Sequence, residues 1–403
     1  MDLAKRFSIA HYDNWPHPSL YYDAIKNSSA DYKAEIYDIY FGKAFRYKYR
    51  EQEVWDSYAR PHEVQYGNVM GVEASDEQVD NLFRIQNEFD IGISLTINQL
   101  NIPIEIFYSK NNRVGQAFID WIGEFYRRGL RSCTLANNHL MRTGILQQKF
   151  PEMKWKNTVN QQVGNAQQVL DYLHLGYNIV QLDRSLACNF EELKRIKGVV
   201  EGFKAKYPDR LAKTCMLVWE DCMPFCPFKR EHDDLQIHLR KINYWQSELG
   251  GLTCRHWTDR SGGSLMPRLG TNCYWVTANS FGEYAELVDI FKYSGRLRSF
   301  DIPSTENLQA GWVSENKHFA SSFSEIIDNG LEPVHLWQFG VGVLDRMEAN
   351  PETIREVLKN NPWLTEKGRG LEQRLKNCKN QCYRCHMCER ANSIRDLDSA
   401  LEL

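Results

Sequence analysis

The sequence predicts an α/β protein whose main domain is a (β/α)₈ barrel resembling the TIM barrel. Short strand-like runs alternate with longer helical patterns, which indicates parallel strands joined by crossover helices. About eight such units fit into roughly the first 300 of the 403 residues, a length that suits this barrel. A doubly wound open sheet is the alternative, because sequence pattern separates the two folds poorly. We therefore expect the barrel over residues 1–300 and a C-terminal extension over residues 301–403.

The individual elements follow from local composition. Runs rich in β-branched and aromatic residues predict eight strands, at residues 7–13, 34–42, 90–98, 130–137, 154–160, 177–183, 213–220 and 287–295. Apolar residues at helical spacing predict helices over Gln78–Glu88, Gly115–Arg127, Ala166–Leu175 and Asn189–Lys206. A long cysteine-bearing insertion separates the seventh predicted strand from the eighth.

Composition and charge limit the functional classes. The chain is 42% hydrophobic and 25% charged, as in an ordinary globular protein. A net charge of −3 gives no general attraction to nucleic acid, although a local basic patch can still bind RNA. The start of the sequence resembles no signal peptide, and no stretch of eighteen apolar residues occurs. We expect a cytoplasmic protein with no membrane partner.

Polar residues collect where the predicted strands end. In a barrel of this kind such residues meet at the carboxyl-terminal face, where catalytic groups lie. Loops face water and are polar in any case, so only the set as a whole indicates a site. Its members are His11, Tyr12, Asp13, Asn98, Gln99, Asn137, Asn138, His139, Asn157, Asn160, Asp183, Arg184, Glu220 and Asp221.

The 11 cysteines form two groups that suggest metal binding. The first is Cys222-x₃-Cys226, directly after a predicted strand, followed by Cys254 and Cys273. Four thiolates from separate loops can hold a [4Fe–4S] cluster or a tetrahedral zinc ion. Buried free cysteines are the alternative interpretation. Cys215 lies inside the predicted strand and is not included.

The second group is Cys378-x₃-Cys382-x₂-Cys385-x₂-Cys388 near the end of the chain. Such density is typical of a metal site, either a second [4Fe–4S] cluster or zinc, with His386 able to replace one thiolate. A redox-active dithiol is a third interpretation. The radical S-adenosylmethionine spacing is also matched, but this run follows the last predicted barrel strand instead of the first.

No phosphate loop, HExxH zinc motif or GxSxG nucleophile motif occurs in the sequence. Instead, residues 219–232 (WEDCMPFCPFKREH) resemble a cysteine signature of the collagenase-like (U32) peptidase family. The paired segments 154–160 and 179–186 resemble two further strands of that family, and so does DIFKYSGR at 289–296. Together the likeness extends over roughly residues 5–300.

The resemblance implies a TIM-barrel-like enzyme. Despite the family name, well-understood members look less like proteases than like oxygen-independent hydroxylases of tRNA, ribosomal RNA or a ubiquinone precursor. They carry a [4Fe–4S] cluster on four cysteines and can take oxygen from prephenate, and Cys222, Cys226, Cys254 and Cys273 occupy the matching positions here. An electron donor is a further expected partner.

We therefore expect an iron–sulfur-dependent hydroxylase or related modifying enzyme that acts on RNA or a small molecule. Arg184, Arg230 and Arg296 are candidates to bind a carboxylate donor, because a guanidinium pairs with a carboxylate through two hydrogen bonds. Glu220 and His232 are candidates for proton transfer, and Asn160 is counted with the candidate catalytic residues. A metal-dependent peptidase and a non-catalytic, metal-stabilised binding module are the alternatives.

Overall fold

Eight parallel strands close into a barrel in the computed structural model of the protein, which confirms the predicted fold class. The barrel strands are β1 Phe7–Ala10, β2 Ile36–Gly42, β5 Gly92–Ile97, β6 Ser132–Leu135, β7 Lys154–Lys156, β8 Ile179–Gln181, β9 Lys213–Trp219 and β10 Ile290–Tyr293. Their order around the barrel is β1-β10-β9-β8-β7-β6-β5-β2. The first and last strands pair directly, with Phe7 beside Phe291 and Ser8 beside Lys292.

The structure describes residues 4–11, 17–48, 63–68, 73–219 and 278–293, and positions 373, 374, 376–379, 381 and 384 of the tail. Several predicted site residues lie outside these ranges. They are Glu220, Cys222, Cys226, Arg230, His232, Cys254, Cys273, Arg296, Cys382, Cys385 and Cys388. The boundary at residue 300 between barrel and extension also lies outside them and stays a prediction.

Nine α-helices belong to the described part of the chain, and the longer ones cover the outside of the barrel. They are α1 Leu20–Asn27, α2 Ala30–Glu35, α3 Asp76–Phe89, α4 Arg113–Arg127, α5 Asn138–Arg142, α6 Ile145–Lys149, α7 Ala166–Leu175, α8 Phe190–Lys206 and α9 Ala278–Leu287. Short 3₁₀ helices span Ile104–Ile106, Lys110–Asn112, Val159–Gln161 and Arg184–Cys188. Among the described residues, no helix is both long and apolar enough to cross a bilayer.

The sequence sets the helix boundaries through end groups. Helix α3 starts with a reciprocal capping box, in which Ser75 and Gln78 each bind the other's backbone N–H. Helix α7 ends at Gly176, whose φ of 101° is a left-handed conformation that glycine adopts without strain. The predicted limits of α7 are those observed.

Each barrel strand sends alternate side chains outward and inward. The outward side chains pack against the helices in one large apolar core that includes Phe41, Leu95, Leu135 and Trp155. A separate small cluster of Ile179, Cys215 and Ile290, with Tyr37 against it, belongs to the inward-facing positions of the strands. The face packed against the helices is therefore mostly apolar, whereas the lumen carries a different set of side chains.

One feature of the fold was not predicted. Strands β3 Ala44–Lys48 and β4 Glu63–Gly67 form a two-stranded antiparallel sheet outside the barrel. It packs against α4, where the Phe45 ring lies 5.4 Å from that of Phe118. The hairpin thus inserts between the second and third barrel strands and stays attached through aromatic contacts.

Candidate active site in the barrel lumen

The lumen of the barrel is lined with polar side chains. In most barrels of this type, branched aliphatic residues fill this space. Here the strand alternation turns eight buried polar residues inward. They are Ser8, Asp38, Ser94, Thr96, Ser132, Thr134, Lys156 and Gln181. Burying so many polar groups costs free energy unless each finds a partner, so their arrangement is informative.

An ion pair spans the lumen. The Lys156 ammonium on β7 donates a hydrogen bond to Oδ2 of Asp38 on β2, three strands away around the barrel. The side chains are only 5% and 1% exposed. The Ser8 hydroxyl donates to the other carboxylate oxygen of Asp38 over 2.5 Å. Both carboxylate oxygens are therefore hydrogen-bonded, as a buried charge requires.

Gln181 is held in one orientation by the neighbouring strand end. Its side-chain amide N–H donates to the backbone carbonyl of Asn157, and the Asn157 side chain in turn bonds the Gln181 backbone, donating to its carbonyl over 3.1 Å. The Gln181 side-chain oxygen consequently faces the other way and accepts from Lys292 Nζ over 3.3 Å. The Lys292 ammonium also lies 4.2 Å from the centre of the Tyr40 ring.

Arg184 and Asn160, two predicted catalytic residues, come together at the strand ends. The Arg184 guanidinium donates to Asn160 Oδ1 over 3.4 Å, and Arg184 is buried. The loops that carry them are fixed locally. Asp183 accepts from the backbone N–H of Ser185 over 2.9 Å and so starts the 3₁₀ helix of Arg184. A capping box beginning at Thr158 does the same for Asn160.

Most of the other predicted strand-end residues that the structure describes have structural partners. His11 is buried with its ring 4.6 Å from that of Tyr21. Asn137 caps α5, and Asn138 accepts from the Tyr177 hydroxyl over 3.0 Å. Gln99 bonds the backbone of Gly67 in the hairpin. These contacts explain the polar residues without catalysis.

The tail is anchored beside the loop of Arg184. The backbone N–H of Lys379 donates to the Cys188 carbonyl over 3.0 Å, and the Lys379 ammonium pairs with Glu191 at 2.7 Å. Lys376 is almost completely buried and pairs with Glu283 of α9 at 3.1 Å. Cys378, the first cysteine of the tail group, is partly buried between these two lysines in the sequence.

The other cysteines that the structure describes behave as core residues. Cys133, Cys188 and Cys215 are buried and form no disulfide. Burial raises the pKa of the Cys215 thiol to about 12 and raises that of Cys133 as well. Within the described ranges, no three side chains of metal-binding type come together. The predicted ligand sets consequently stay predictions.

Asp38, Lys156, Gln181 and Lys292 were missed from the sequence. Each lies inside a predicted strand instead of after it. The available signal is a charged residue between strongly apolar neighbours, as in IYDIY around Asp38. Such a residue must point away from the apolar face and, in a closed barrel, into the lumen.

Comparison with known proteins adds little. No family model matches the sequence, and no curated protein matches it. Among solved structures, that of the U32 peptidase Mk0906 is similar over 72% of this chain and 92% of that one, at 12% identity and a TM-score of 0.40. A likeness of this strength carries no argument for a shared activity.

Proposed function

We propose that this chain is an iron–sulfur enzyme of the collagenase-like peptidase family that modifies RNA or a small molecule without molecular oxygen. The observation that carries the enzymatic part is the polar lumen. A buried ion pair such as Asp38–Lys156 is weak evidence for stability, since apolar residues of similar volume often serve as well. A barrel whose metal served only to stabilise loops would not need buried polar side chains in its lumen.

The cysteines after β9 fit the proposed cluster by their chemistry and by their place in the chain. Strand β9 ends at Trp219, and Cys222 follows three residues later. Cys222, Cys226, Cys254 and Cys273 would hold a [4Fe–4S] cluster, whose chemistry when bound is electron transfer or substrate activation.

The residues of the chain itself would bind and orient the reactants. Arg184, which donates to Asn160, and Arg296 are proposed to bind a carboxylate oxygen donor such as prephenate. Glu220, the first residue after β9, and His232 are proposed to move protons. An electron donor completes the proposed partners.

The tail cysteines are proposed as a second metal site, either a [4Fe–4S] cluster or zinc, on Cys378, Cys382, Cys385 and Cys388. What supports a role near the reaction is the anchoring of Lys379 on Cys188, at the end of the 3₁₀ helix that starts with Arg184. An electron relay and a structural clamp both agree with that position.

The first experiment is metal analysis of protein purified without air. About four iron and four sulfide per chain, with absorbance near roughly 400 nm that bleaches in air, would support one cluster. About eight iron would add a cluster in the tail, and about four iron with one zinc would make the tail structural. Zinc alone, unchanged by air, would contradict the proposal and favour a peptidase or a binding module.

Variants assign the ligands and the reaction. Cys226→Ser should abolish the barrel cluster, and Cys215→Ala is the matched control, because Cys215 lies within β9 outside the proposed set. Nucleosides from RNA of cells with and without the gene are then compared by mass spectrometry. A nucleoside that carries one extra oxygen only when wild-type protein is present would identify an RNA substrate.

A further inference from the structure

We infer that a cleft outside the barrel binds a small organic cation, an ammonium or guanidinium group on a short apolar chain. The cleft lies between strand β3 and helices α3 and α4 and has a volume of about 330 Å³, at the lower end of the range for small-molecule sites. Its described lining residues belong neither to the lumen nor to the proposed catalytic set. The inference and the proposed function can therefore fail independently.

The apolar wall of the cleft is formed by Trp121 of α4, with Phe125 one turn later. The indole stacks on Phe118 with the ring centres 6.0 Å apart, and the Phe125 ring lies nearly perpendicular to it at 5.4 Å. These contacts fix the indole, while Trp121 stays half-buried and lines the cleft. Tryptophan is the aromatic side chain that attracts cations most strongly, so this wall suits a positively charged ligand.

The two cations on the hairpin side of the cleft are already neutralised. The Lys43 ammonium pairs with Asp76 at 2.8 Å. Arg46 uses two guanidinium nitrogens on the two carboxylate oxygens of Glu73, one of them over 3.1 Å, and the backbone N–H of Ala44 also donates to Glu73 over 3.0 Å. An anionic ligand would have to compete with these carboxylates for the same donors, which disfavours an anion site here.

The third cation is occupied in the same way, and one carboxylate is left over. The Arg128 guanidinium pairs with Asp80 at 2.5 Å and lies 4.2 Å from the centre of the Phe83 ring. Glu124 lines the cleft one turn before Arg128, and its carboxylate has no partner among the residues that the structure describes. Four carboxylates around the cleft thus stand against three cations, and a cationic ligand would supply the missing charge.

The unmatched carboxylate and the aromatic wall are neighbours on one helix face. Glu124 follows Trp121 by three positions on α4, a spacing that brings the two Cβ atoms to about 5–6 Å from each other. One cationic group can therefore contact the indole and the carboxylate together, with its apolar chain against Phe125 and Val79 of α3.

The test uses the full chain and three probes at constant ionic strength, n-butylguanidinium, n-butylammonium and the neutral n-butylurea. Binding is measured by calorimetry and by the rise in melting temperature with probe concentration. The wild-type protein should bind at least one of the two cations saturably, with a Kd below about 50 mM, and n-butylurea at least about tenfold more weakly. The tighter of the two cations identifies the preferred head group.

Glu124→Gln removes one charge at an exposed position and should weaken cation binding at least about threefold, and Trp121→Phe should weaken it about two- to fivefold. Glu201→Gln is the matched control, because it removes the same charge from an exposed glutamate of α8 and should leave binding unchanged. The inference is overturned if neither cation saturates below about 50 mM or if n-butylurea binds as well as the cations. It is also overturned if Glu124→Gln has no more effect than Glu201→Gln, since the net charge alone would then account for the binding.

Discussion

The ion pair in the lumen gives the sharpest prediction about stability. Lys156→Met keeps most of the apolar stem of the side chain and removes its charge, which leaves Asp38 buried at 1% exposure with the Ser8 hydroxyl as its remaining described donor. Removing one partner of a buried pair costs about 3–5 kcal/mol of the free energy of unfolding.

The size of the loss follows from the burial of the pair. The variant should lose about 4 kcal/mol of the free energy of unfolding, in the middle of the range expected when a buried charge loses its partner. An exposed ion pair contributes only about 0–1 kcal/mol, because water screens both charges.

The assay is urea unfolding of wild type, Lys156→Met, Asp38→Asn and the double variant. The double variant should recover at least about 2 kcal/mol relative to the sum of the singles, since it leaves no unpaired charge. Lys197→Met, which breaks an exposed pair with Glu201 on α8, is the control and should cost at most about 0.5 kcal/mol. A loss below about 1 kcal/mol for Lys156→Met would refute the reasoning.

Three further predictions concern buried groups outside the pair. Tyr66→Phe should be neutral or slightly stabilising in urea unfolding, because the Tyr66 hydroxyl is buried with no partner in the described structure. Tyr177→Phe should cost about 1–2 kcal/mol, because it removes the O–H that the Leu135 carbonyl and Asn138 Oδ1 share as acceptors. Equal effects of the two substitutions would contradict this. Burial raises the pKa of the Cys133 and Cys215 thiols. Their contribution to stability is complete below about pH 8.5 and falls at higher pH, because the unfolded state loses these thiol protons first. The double variant Cys133→Ala and Cys215→Ala should flatten the slope of the free energy of unfolding against pH between about pH 9 and 10, and an unchanged slope would count against this. Lys376→Ala should release the tail, seen as faster proteolysis near residue 376 while the barrel stays intact, and unchanged cleavage would argue against the anchor.

The barrel could be predicted because its strands carry the signal locally. Each apolar run, such as GISLTI in β5, is bounded by polar or glycine residues, and α7 was placed to the residue by its periodicity and terminal glycine. The β3–β4 hairpin could not be predicted, because its strands are short and separated by a charged segment. Pairing across that distance depends on packing against Phe118, which local patterns do not encode.

The site was predicted only in part. Strand-end reasoning found Arg184 and Asn160, which lie 24 positions apart in the chain and touch in the structure. It missed Asp38 and Lys156, because it considered only residues after the predicted strands and these two lie within them. The cysteine ligand sets follow from spacing and resemblance, and the metal analysis above tests them.

The pair across the lumen also has a consequence for how the chain folds. Lys156 follows Asp38 by 118 positions, so Asp38 is synthesised long before the residue that neutralises it. Contacts between such distant segments carry a large loop-closure cost and form late. We expect partly closed barrels to keep water around Asp38 and to expel it only when β7 is added. The buried charge of Asp38 would thus delay the final closure, since a half-assembled barrel cannot exclude water from its interior.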